Sequence, residues 1–109
     1  MSILSLNLAV IEILSNLKIT FMQQFLIQEG WLGGSEPWFR HCYDFNLSDY
    51  NILIEVDGNY WHSTPQQKTR DALCETKATE HGYTIYRISE DLLKDKVSAT
   101  EYIKQLIQN

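Results

Sequence analysis

Three acids could do chemistry together in this chain. Asp44 lies in the run Cys42-Tyr43-Asp44-Phe45, and Glu55 and Asp57 lie in Ile52-Leu53-Ile54-Glu55-Val56-Asp57-Gly58-Asn59-Tyr60-Trp61-His62. The apolar residues before Glu55 read as a buried strand. Side chains alternate along a strand, so Glu55 and Asp57 share one face while Ile54 and Val56 point into the core. A turn centred near residues 48 to 50 would set Asp44 opposite residue 54, give or take one. Directly opposed Cβ atoms of an antiparallel pair lie roughly 5 Å apart, so Asp44 and Glu55 are expected to be neighbours. Three carboxylates this close resist ionising together unless a proton or a cation intervenes. A divalent cation is the economical answer at neutral pH, and an all-oxygen donor set suits Mg²⁺ or Mn²⁺.

Further residues are candidates around that cluster. Glu12 is the lone charge between residues 1 and 17, on a segment apolar almost all round. A buried carboxylate without a partner is expensive, so Glu12 is expected either to join the acids or to reach solvent through a gap in the packing. His62 follows the strand by five residues, and its ordinary pKa near 6.5 suits removing a proton from an attacking water. Plain loop polarity is the competing reading. Trp61 is either packing or a wedge against bases. Lys68, Arg70 and Lys77 would give the next helix a cationic side, with Arg70 and Lys77 two turns apart on one face, or would simply be solvated charge.

The elements that must position these groups can be read from pattern. Residues 3–17 are apolar at most helical positions, which predicts a helix buried on most sides. Residues 19–27 are β-branched and aromatic and read as a strand, and 29–39, with three glycines and Pro37, as a loop. Strands follow over 41–46 and 51–57. Thr64, Pro65 and Gln67 form a capping box with proline at the first helical position, and Gly82 is a good helix stop. A fourth strand over 83–88 and one or two helices over 90–108 complete an αβββαβα order, an α+β domain on a mixed sheet.

Length and charge limit the function. A chain of 109 residues is one domain. The net charge is −5, unfavourable for non-specific binding to phosphates. Setting aside Glu12, Asp44, Glu55 and Asp57, which a metal would neutralise, leaves −1. Affinity for a polyanion must then come from a separate module or from a homodimer. The apolar N-terminus has no Lys or Arg before Lys18 and carries Glu12 in its middle, which argues against export and membrane insertion. Cys42 and Cys74 lack any metal-binding spacing and are expected to be two buried, reduced thiols in a cytoplasmic protein.

Taken together, Glu12, Gln24, CYDF around Asp44, IEVDGNYWH at 54–62, the helix with Arg70, Asp71 and Lys77, and GYTIYRISEDLL at 82–93 resemble the PD-(D/E)xK nuclease superfamily. More narrowly, the chain is similar to the branch shared by the very short patch repair endonuclease and phage homing endonucleases. That resemblance implies a restriction-endonuclease-like αβββαβ core and Mg²⁺-dependent (or Mn²⁺-dependent) hydrolysis of double-stranded DNA. It implies Asp44 as the metal anchor with Glu55 and the Val56 carbonyl, His62 with Asp57 acting on the attacking water, and Glu12 as the helical glutamate. Asp57 stands where most members carry lysine, which leaves His62, or Lys77 and Arg70, to stabilise the transition state. The zinc-binding cluster of the repair enzyme is missing, which favours a homing-type nuclease over a nicking repair enzyme. A catalytically inactive relative that docks through its sheet is the reading from another class.

Overall fold

A computed structural model describes residues 2–30, 38–58 and 64–108. Its elements run α1 (Ile3–Asn16), β1 (Met22–Glu29), β2 (Phe39–Leu47), β3 (Ile52–Asp57), α2 (Pro65–Glu80), β4 (Thr84–Ser89), α3 (Glu90–Leu93) and α4 (Lys96–Gln108). The sheet has the order β1-β2-β3-β4. β1–β2 and β2–β3 are antiparallel, while α2 carries the chain over to a parallel β4. This is the α+β mixed sheet expected, with 90–108 divided into two helices.

Local chemistry explains the boundaries. Thr64 Oγ1 accepts the Gln67 N–H at 3.1 Å and Gln67 Oε1 accepts the Thr64 N–H at 3.3 Å, so α2 begins on a complete capping box with Pro65 in its first turn. Such a cap is worth about 1 kcal/mol. Gly82, at φ 89°, turns the chain out of the helix in the left-handed region.

Two cores lie on the two faces of the sheet. On one, α1 and α4 bury Val10, Leu14 and Ile103 against Phe45, Leu47, Ile54, Val56 and Ile88. On the other, Cys74 and Ala78 of α2 pack on Ile27, Phe39, Tyr43 and Leu53. Burying side chains of this size contributes about 1.5–3 kcal/mol each. Tyr43 ties the second layer down, its hydroxyl donating to the Cys74 carbonyl at 2.6 Å.

Two sequence expectations need correction here. α1 is buried on one side only: Leu6, Val10, Ile13 and Leu14 face the sheet, while Ile3, Leu4 and Leu8 are 56%, 68% and 55% exposed. Cys42 is likewise exposed; Cys74 alone is buried, and both are free thiols. Among the described residues no helix is long and apolar enough to cross a membrane.

Candidate active site

The acids sit where the sheet changes face. Phe39 and Tyr43 of β2 pack towards α2, yet Phe45 and Leu47, at the same parity, pack towards α1. A regular strand keeps residues of one parity on one face, so the backbone must rotate at Asp44. Its partner strand does the same: Phe21 meets Phe45 on the α1 side, while Phe25 and Ile27 join the α2 side. Between them, Gln24 adopts φ 55° and the β1–β2 register skips the Gln24–Asp44 pair. No composition rule flags a glutamine for the left-handed region, so this was not visible in the sequence.

Beyond that point side chains take over from the ladder. β2 and β3 pair from Phe45–Ile54 to Leu47–Ile52, a register that brings Asp44 to Glu55. There the Val56 N–H donates to Asp44 Oδ2 at 2.7 Å, and the Asp44 N–H donates to Glu55 Oε1 at 3.2 Å. Each strand's acid thus satisfies the other strand's backbone. His41 Nε2 lies 3.4 Å from the second Glu55 oxygen and stands edge-on to Tyr43 at 4.6 Å.

Charge in this pair is strained. Burial pushes the Asp44 carboxyl above its ordinary range; the Val56 N–H pulls it back and the Glu55 charge pushes it up again. Burial likewise raises Asp57, against the pull of the Arg87 guanidinium. Such groups favour a cation over a second bare charge.

The third acid does not complete a triad. Asp57 Oδ1 pairs with Arg87 Nη1 at 3.4 Å, and Arg87 Nη2 lies 3.7 Å from Asp71 Oδ1. Among the described residues, no three His, Cys, Asp or Glu side chains gather as a metal-binding group. The expected three-carboxylate convergence is therefore an Asp44–Glu55 pair, because a guanidinium on the neighbouring parallel strand holds Asp57. Glu12 follows the second of its two expected courses: it is 59% exposed on the solvent side of α1 and paired with Lys96 at the start of α4.

The cationic residues divide in the same way. Lys77 Nζ lies 3.2 Å from both Glu29 and Glu80, so two acids neutralise it. Arg70 stacks 4.9 Å over Phe39 and donates to the Arg40 carbonyl at 2.5 Å, which turns it back onto the sheet. Lys68 is exposed. His62, Trp61, Tyr60 and Trp31 lie outside the described residues. The sequence reading missed His41 and Arg87. Arg87 had a signal, since strand alternation and a parallel crossover set it beside Glu55.

Fold and site together define an α+β domain with a mixed sheet and an acid pair where two strands part. Comparison with known proteins points the same way. With a TM-score of 0.67 the chain is similar in structure to the "Homing Endonuclease I-Bth0305I Catalytic Domain", at 25% identity, over 92% of this chain and 90% of that one. It is 28% identical over 75 residues to an uncharacterized protein of Haemophilus influenzae, a stretch covering 68% of this chain and 61% of that protein. The chain thus matches less than two thirds of that relative's length. No family model matches.

Proposed function

We propose that the chain is a metal-dependent DNA endonuclease domain of homing type, in the PD-(D/E)xK superfamily. The observation that carries this is the reciprocal Asp44–Glu55 pair, set in a fold shared with a homing endonuclease catalytic domain. The donor set fits Mg²⁺ or Mn²⁺: Mg²⁺ is commonly held by one or two carboxylates, with waters and substrate phosphate filling the other positions. One Asp44 oxygen is committed to the Val56 N–H, and its Oδ1 has no hydrogen-bond partner among the described residues.

Asp44 and Glu55, with the Val56 carbonyl, would hold the ion. A bound divalent ion would neutralise the acids and polarise the phosphoryl oxygen, both needed for so slow a hydrolysis. His41 restrains Glu55 from the second oxygen. His62 and Asp57 orient or deprotonate the water that attacks phosphorus; as the new P–O bond forms, the bond to the leaving oxygen breaks and that oxygen takes up a proton. Of the α2 cations, exposed Lys68 is free to approach DNA, Arg70 would have to leave its contacts with Phe39 and the Arg40 carbonyl to do so, and Trp61 is a candidate wedge against bases. With so few cations, target recognition belongs to a second module or to a second copy of the chain.

Plasmid DNA incubated with the native chain should give relaxed or linear products with Mg²⁺ and none with EDTA, while Asp44→Ala at matched folding gives none. Equal products from both proteins would remove the nuclease reading. Nicked circles alone would favour a repair-type enzyme, and metal binding without cleavage a docking module.

A further inference from the structure

The acid-rich end of the sheet has one described guanidinium in its midst. Arg87 faces Glu55 in the β3–β4 register and pairs with Asp57 of β3 and Asp71 of α2, and Asp44 lies one strand further on, beside Glu55. A site that takes a phosphodiester among four carboxylates needs positive charge at the phosphate itself. Of the α2 cations, Lys77 is committed to Glu29 and Glu80 and Arg70 to the Phe39 ring and the Arg40 carbonyl, while Lys68 is exposed on the first turn of the helix.

Arg87 is held without being saturated. Its contacts to Asp57 and Asp71, at 3.4 and 3.7 Å, are longer than the roughly 2.7–2.9 Å of a strong charge-assisted bond, and a third of its side chain is open to solvent. A guanidinium has five donors in a planar fork that matches two phosphate oxygens. Two acids on either side keep that fork aimed between β3 and α2 until a stronger acceptor arrives.

Building on the endonuclease reading, we propose that Arg87 is a catalytic residue whose guanidinium contacts the non-bridging oxygens of the scissile phosphate, with Asp57 and Asp71 as its positioning residues. The contact strengthens as negative charge builds on those oxygens during attack, so it acts on turnover more than on DNA binding.

The test is plasmid cleavage with Mg²⁺ by the native chain, Arg87→Ala, Arg87→Lys and Asp71→Asn, with melting temperatures recorded for each. Arg87→Ala should lose roughly 10²–10³-fold in kcat with little change in KM. Arg87→Lys should recover part of that, and guanidinium ion at sub-denaturing concentration should restore cleavage to the alanine variant alone. Asp71→Asn, which loosens the aim of the fork but keeps the guanidinium, should lose less in kcat than Arg87→Ala and should gain nothing from added guanidinium. Native-level cleavage by Arg87→Ala would overturn the proposal. So would equal losses in Arg87→Ala and Asp71→Asn without guanidinium rescue, since the bridge would then be structural. A native chain that leaves plasmid intact is a separate result: it removes the endonuclease reading and this inference with it.

Discussion

Asp44 and Glu55 bind each other's strands: the Val56 N–H donates to Asp44 at 2.7 Å and the Asp44 N–H donates to Glu55 at 3.2 Å. Two negative side chains are therefore fixed side by side by backbone donors, at the point where β2 and β3 stop pairing. The arrangement holds charge together at a cost to stability.

That cost sets the first prediction. The folded-state pKa of Asp44 lies above its ordinary 3.8, so the folded chain holds this proton more tightly than the unfolded chain does. The group's contribution to stability is then lost as pH rises from that ordinary value through the raised one, and the penalty is complete above it. Asp44→Asn removes the charge and keeps an oxygen for the Val56 N–H. It should melt no lower than the native chain at pH 7, with the advantage shrinking in acid, and should not cleave DNA. Each 1 kcal/mol of relief corresponds to roughly 4–8 °C in a domain of this size. Melts of both proteins across pH 3–8 check the sign.

Glu12→Gln should change little. Its pair with Lys96 joins two side chains that are 59% and 58% exposed, and such surface pairs contribute about 0–1 kcal/mol. Cleavage should stay within a few-fold of native. A loss like that of Asp44→Asn would return Glu12 to the site.

Gln24→Val should be costly. The left-handed backbone that Gln24 adopts at φ 55° costs any residue with a Cβ about 1–2 kcal/mol, and a β-branched side chain fits it worse still. Gln24→Gly should be tolerated. Because both strands rotate at this pair, denaturation midpoints and cleavage rates should fall together in the valine variant.

Tyr43→Phe isolates the anchor of α2. It removes the 2.6 Å bond to the Cys74 carbonyl from a fully buried ring and leaves the apolar packing in place. A loss of about 0.5–1.5 kcal/mol in urea unfolding is expected.

Much of the fold was legible because its signals are local. Thr64, Pro65, Gln67 and Gly82 delimit α2 through capping and a left-handed turn that depend on near neighbours alone. The alternation through Ile52, Ile54 and Val56 set the core face of β3, and the turn register brought Asp44 to Glu55. What was hidden depends on tertiary packing. An apolar tally of α1 cannot say which side meets the sheet, so Glu12 looked buried. The rotation at Gln24 and Asp44 arises from two cores competing for opposite faces of the same strands. Asp57 was grouped with its neighbours by parity, but the deciding partner, Arg87, comes from a strand thirty residues later.

A calorimetric titration with Mn²⁺ of the native chain, Asp44→Asn and Glu55→Gln tests the acid pair most directly. One saturable site in the native chain, lost in both variants while their folds persist, is the predicted result. Undiminished binding in the variants, or none in the native chain, would contradict it.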